Sequence, residues 1–308
     1  MIYGIGAYLL WGIFPLYFRL LDASGAVEIV VHRVLWSLLV CLAVVALTGA
    51  VADLRGVLRS RRSVLMLAGA AGLIAVNWGV YVYAVNSGHV VEASLGYFIN
   101  PLVTVMLGVV VLRERLSRWQ WTAVAIGAVA VGVLTADYGR LPWIALVLAF
   151  SFGTYGLLKN RVGGQVGALT GLTTETLLLA PAAAAVLIWL EATGRGSFGA
   201  NPPWQGLLLA MVGAITVSPL LLFAAAARRV PLTTMGLLQY ITPVLQLMIG
   251  VFVLGEHMPA SRWIGFGLVW VALAVLTVDG AQAARRRPGR AQPVPPLDSV
   301  LTSDPSAR

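Results

Sequence analysis

Charge is what this sequence has least of. Asp, Glu, Lys and Arg make up 11% of its 308 residues and apolar types 59%, whereas a soluble domain is roughly a quarter charged. Polar groups are too few to cover a water-facing surface, and no stretch outside the apolar runs is long enough for a large soluble catalytic domain. A single cysteine, Cys41, excludes an intramolecular disulfide and any cysteine cluster for zinc or iron–sulfur ligation; inside an apolar run, it reads as a packing residue. Three histidines, far apart at His32, His89 and His257, offer no metal site, and no cofactor is expected. There is no Gly-x-Ser-x-Gly, His-Glu-x-x-His or Walker A string, and Gly4-Ile5-Gly6 lacks the third glycine of a dinucleotide loop. Enzyme chemistry and direct use of ATP are therefore not expected. Met1-Ile2-Tyr3 enters an apolar segment with no basic stretch ahead of it, so no removable signal peptide is expected either.

What is present is apolar length. Runs fall at 1–21, 28–49, 64–86, 90–112, 117–135, 141–158, 168–192, 206–227, 232–254 and 261–279, most of them close to the ~20 residues that cross a ~30 Å hydrocarbon layer. Alanine, leucine, valine and glycine dominate without period-2 alternation, which favours helices over barrel strands. An all-α integral membrane protein of ten transmembrane helices is predicted, with the lipid bilayer as its main surroundings. The net charge of +9 gains meaning from its placement. Sixteen basic residues fall in the loops after helices two, four, six and eight and in the tail, against four at the margins of the other loops. The excess marks the cytoplasmic side and places both termini there, which leaves no case for nucleic acid as a partner. The Arg- and Pro-rich stretch 281–308 has no apolar face and is expected to be a disordered tail.

The chain also resembles itself. Tyr97-Phe98-Ile99-Asn100-Pro101 aligns with Gln239-Tyr240-Ile241-Thr242-Pro243, and the match runs on to Glu114 and Glu256, with eight of eighteen positions identical. Matched Pro, Gly and Glu are hard to obtain from apolar composition alone. Two five-helix units follow, 1–135 and 141–280, and an odd number of spans makes them enter the membrane in opposite senses. Such inverted repeats are the architecture of many secondary transporters, with the substrate at a shared midplane site. Pro101 and Pro243 each free the carbonyl four residues earlier, and paired helix breaks would mark a cavity and its gates; a static kink relieved by packing is the alternative.

Specific strings carry a family resemblance. Glu28 to Ser37 (EIVVHRVLWS), Glu92 to Leu102 (EASLGYFINPL), Ala149-Phe150-Ser151-Phe152, Tyr155-Gly156-Leu157, Glu175-Thr176 and Gln239-Tyr240-Ile241 closely resemble the RarD proteins of the EamA group, in the drug/metabolite transporter superfamily. The resemblance runs from about Tyr3 to Asp279. It implies ten helices in two inverted halves, a bacterial inner membrane location, export of small organic metabolites or drugs, and the label of chloramphenicol-sensitive protein or permease.

Ionisable groups inside spans are costly and are candidates for function. Glu28, His32 and Trp36 share a face of helix two, and Arg33 points about 100° away from His32. His32 and Arg33 can be ligands for an anionic or polar group, or Arg33 can snorkel to the interface. Glu92 fits a helix N-terminus. Glu175, about seven residues into helix seven, must face a partner, a cavity or water, and with His32 it is a candidate carrier of protons; facilitated diffusion without coupling is the alternative. Asn77, Trp78, Tyr81, Tyr97, Asn100, Gln239 and Tyr240 complete a candidate substrate lining of rings and amides, suited to a modest, partly aromatic organic solute. As single residues they equally serve as interhelical glue. The rival is a non-transporting assembly subunit, for which the small-residue spacings Ala75/Gly79 and Ala128/Gly132 would serve helix association. Sidedness is open to direct test. In a Cys41→Ala background, a cysteine beside Arg61 should resist impermeant thiol reagents in intact cells, while one beside Ser197 should label; the reverse pattern overturns the orientation.

Overall fold

Helix takes up nearly all of the described residues, and no strand occurs among them. The protein is represented by a computed structural model that describes residues 1–113, 115–162, 166–198, 203–227, 229 and 232–286. In chain order the helices are α1 (Ile2–Arg19), α2 (Ala26–Leu47), α3 (Val51–Arg59), α4 (Arg61–Asn86), α5 (Val90–Leu112), α6 (Arg118–Tyr138) and α7 (Trp143–Val162). There follow α8 (Ala168–Ala192), α9 (Pro203–Ala227), α10 (Leu232–Leu238), α11 (Ile241–Met248) and α12 (Ala260–Arg286). Among the described residues, eight helical stretches are long and apolar enough to cross a membrane: α2, α4, α5, α6, α8, α9, residues 234–253 and α12. The other two expected spans, α1 and α7, are helical but more polar, with three tyrosines and Arg19 in α1 and Lys159, Asn160 and Arg161 closing α7.

Local chemistry sets the ends. Ser60 accepts from the Ser63 amide and starts α4, and Ser117 with Gln120 forms a capping box at α6. Gly139, at φ +63°, closes α6 in the left-handed conformation. Three features depart from the expected pattern. The loop after α2 holds a short amphipathic helix, α3, that buries Leu54 and Val57 and carries Arg55 and Arg59, a composition suited to lying in the interface plane. The ninth span is broken, with a turn at Gln239–Tyr240 between α10 and α11 and a π-helical turn at Ile249–Val253 after α11. α12 runs on through Arg286, past the expected boundary at 280; the rest of the proposed tail, and Glu114, lie outside the described residues.

The bundle is held by a few helix pairs. α1 packs on α9 and α11, α7 on α4 and α5, α2 on α8 and α9, α4 on α8, α5 on α11, and α6 on α12. Water does not drive such pairing inside lipid, so close backbone approach matters more. A Cβ on Gly96 of α5 would lie 2.7 Å from the Ala145 carbonyl of α7, and one on Gly213 of α9 would lie 2.6 Å from the Ser37 amide of α2. At Gly79 and Gly132, by contrast, a Cβ would meet open space, so neither glycine makes a close crossing among the described residues. Gly96→Val and Gly213→Val should each cost about 1–3 kcal/mol by forced separation, read as a lower melting temperature of the detergent-purified protein, with Gly132→Ala as the silent control.

Candidate functional site

Two turns into α2 the chain buries a guanidinium. Arg33 is 4% exposed, and its Cζ lies 4.1 Å from the Trp78 ring centroid, 5.4 Å from Phe18 and 5.7 Å from Phe14. Tyr81 packs edge-on against Phe18 and Tyr97, at 6.0 and 5.9 Å between centroids, and completes an aromatic enclosure drawn from α1, α4 and α5. Neither Nε nor Nη1 of Arg33 has a hydrogen-bond partner, and among the described residues no carboxylate is in salt-bridge range. The Tyr81 hydroxyl and Gln246 Oε1 are likewise buried without partners. A desolvated cation over aromatic faces gains about 2 kcal/mol, short of the several kcal/mol that burying an ion costs.

The remaining candidates divide by helix face. Asn77 joins this site from behind: its Nδ2 donates to Leu148 O at 3.1 Å and Ser151 Oγ at 3.0 Å, while the Tyr97 hydroxyl donates to its Oδ1 at 3.4 Å. It ties α4 to α7 and positions Tyr97. His32 and Trp36 face elsewhere. Trp36 Nε1 donates to His32 Nδ1 at 3.2 Å, the imidazole stacks on Phe198 at 4.7 Å, and both line a lateral groove of about 430 Å³ with Leu187 and Glu191 of α8. Glu175 is fully buried on α8, where it takes Lys159 Nζ at 2.8 Å and the Tyr155 hydroxyl at 3.2 Å. Lys159 is the only lysine in the chain. Asn100 lies against the Gly153 position of α7, Gln239 sits half-buried in the α10–α11 turn, and Tyr240 packs into the α5/α6/α12 core. The expected pair of proline breaks is found in one half only: the chain turns ahead of Pro243, whereas α5 is continuous across Pro101. Phe14 and Phe18, which sequence reasoning missed, carry a weak signal in their four-residue spacing on α1.

At the Arg-poor end of the bundle, carboxylates bind distant segments together. Glu28 accepts from the Ser197 amide (2.6 Å) and hydroxyl (2.9 Å). Glu92 takes Arg140 Nη2 at 2.8 Å and the Ile144 amide at 3.0 Å. Asp137 pairs with Arg262 at 2.6 Å. Glu256 accepts from the Val90 and Val91 amides, at 2.6 and 2.8 Å, at the N-terminus of α5. Ser24 Oγ and Ser197 Oγ meet at 2.7 Å.

This arrangement has relatives. Residues 1–136 and 141–278 each match the EamA-like transporter family. The chain belongs to that family, in its RarD group. A RarD protein of Streptomyces exfoliatus is 51% identical over 297 residues, 96% of this chain and 93% of that protein. An uncharacterized transporter of Pseudomonas aeruginosa is 43% identical, over 92% of this chain and 95% of its own. A crystal structure at 20% identity superposes with a TM-score of 0.58 over 90% of this chain and 96% of that one, a likeness of fold alone. The EamA-like chain is thus a multi-pass membrane protein of a transporter family. Within it, the Lys159–Glu175 pair makes a separate prediction. Lys159→Met strands a buried carboxylate and should cost about 3 kcal/mol, the lower end for such pairs because Lys159 is partly exposed. Adding Glu175→Leu should recover most of the loss in thermal melts.

Proposed function

We propose that this EamA-like transporter moves small organic solutes across the bacterial inner membrane, in the direction of export, by alternating access between two inverted five-helix repeats. Ten spans are counted as α1, α2, α4, α5, α6, α7, α8, α9, α10–α11 and α12, with both termini on the cytoplasmic side. The observation that carries this is a coincidence of helix starts. The shift that lays Pro101 on Pro243 also lays Ala26 of α2 on Ala168 of α8, Arg61 of α4 on Pro203 of α9, Val90 of α5 on Leu232 of α10, and Arg118 of α6 on Ala260 of α12.

Packing supports the same duplication. Exchanging the two halves carries α1 against α9 and α11 onto α7 against α4 and α5, and α2 against α9 onto α8 against α4. The pairs α2–α8, α5–α11 and α6–α12 map onto themselves. Two copies of one unit that meet across such self-mapped contacts are the arrangement in which repeats rock around a central site. The Arg33 enclosure, built from α1, α2, α4 and α5 with Gln246 of α11, lies where the copies meet. On this reading the carboxylate ties at the Arg-poor end hold the protein closed towards the outside. A proton is the candidate coupling ion, with Glu175, held by Lys159 and Tyr155, and His32 as candidate carriers; facilitated diffusion without coupling is the alternative.

The test joins transport to the closure. In a Cys41→Ala background, Ser24→Cys and Ser197→Cys should form a disulfide, because their hydroxyls are in contact. In proteoliposomes holding only this protein, counterflow of small organic solutes should fall to near background on oxidation and return on reduction. Full flux through the cross-linked protein would overturn alternating access at this end. No flux of any solute through the reduced protein would overturn the transporter reading itself and favour an assembly role.

A further inference from the structure

The shift that pairs the two halves also carries Arg33 onto Glu175. Each is the eighth residue of its helix, in α2 and α8, about 10 Å from the helix start at 1.5 Å per residue. Two buried charges of opposite sign thus occupy equivalent places. Their surroundings differ in one respect. Glu175 is neutralised by Lys159 and by the Tyr155 hydroxyl, whereas Arg33 meets rings only and keeps Nε and Nη1 unmet. The fold holds the means to neutralise a buried charge and applies it at one position, leaving the other short of an anion.

We infer that the missing partner of Arg33 is the solute, and that this transporter recognises organic monocarboxylates bearing a planar apolar group. The chemistry follows from the groups present. Nε and Nη1 lie on different edges of the guanidinium, so each of the two edges that can grip a carboxylate in a fork has an unmet donor. The rings of Phe14, Phe18 and Trp78 now cover the cation. An entering solute carboxylate replaces that cover as the counter-ion, while its own ring takes up the aromatic faces that are released. The Tyr81 hydroxyl lies beside the Gln246 side chain, and the pair offers polar atoms to a hydroxyl or N–H on the solute. A simple inorganic anion would satisfy the guanidinium and leave the rings without a partner, so the apolar body is part of the recognition. This rests on the transporter reading above for its biological use but makes a binding claim of its own.

Indole-3-acetate and its neutral counterpart indole-3-acetamide separate these statements. Equilibrium dialysis of the purified full chain against the radiolabelled pair should give saturable binding of the carboxylate at least about tenfold tighter than of the amide, the size of one hydrogen bond to a charged group. Arg33→Gln should abolish that preference, and Arg33→Lys should restore only part of it, because an ammonium keeps the charge and loses the fork. Equal binding of the two probes by the unaltered protein overturns the inference without recourse to any variant, as does a preference that survives Arg33→Gln in protein that still elutes as a single species. In vesicles, flux of both probes without charge preference sinks the inference and leaves the transporter reading standing. Selective binding without any flux does the reverse.

Discussion

A charge taken out of water must be answered by another charge or by several dipoles, and in a chain with so few charged residues that requirement organises nearly everything that is not simple apolar packing. At the Arg-poor end each carboxylate is answered by groups far away in sequence: Glu28 by Ser197, Glu92 by Arg140 and the start of α7, Asp137 by Arg262, Glu256 by the first amides of α5. These contacts join helix ends that are distant in sequence. Glu175 is answered by Lys159 in the same way, on the opposite half of the bundle. Arg33 is the exception: among the described residues its charge is met by ring faces alone.

Much of this was legible in the sequence, for identifiable reasons. Composition and run length carry the spans because the thickness of the hydrocarbon is fixed, and the helices begin and end close to the expected places. The divergence of Arg33 from His32 follows from helical geometry alone: adjacent residues cannot share a face, and one looks into the bundle while the other stacks on Phe198 in the lateral groove. That Glu175 must face a partner, a cavity or water was equally readable, but which of these it meets, and the identity of Lys159, depend on where the end of α7 comes to rest.

Other features were hidden for equally physical reasons. Phe14 and Phe18 carry no polar group to mark them in an apolar span, and they meet Arg33 through their ring faces. Tyr240 reads as a lining residue in the sequence, yet the turn ahead of Pro243 delivers its ring to the core beside α12. Pro101 and Pro243 occupy equivalent positions but meet different outcomes, a continuous helix in one half and a break in the other. Proline removes one backbone bond wherever it stands; whether the helix parts there depends on what is packed around it.

The ties at the Arg-poor end have a kinetic consequence. They are made by segments that are widely separated along the chain and converge on the same few loops, so they cannot be released one at a time by a small local fluctuation. Any motion that separates those helix ends breaks several charge-assisted bonds together, each stronger than a neutral one. The barrier to that motion is therefore chiefly enthalpic, and its rate should climb steeply on warming, more like the melting of a small cooperative unit than the swing of a loose hinge.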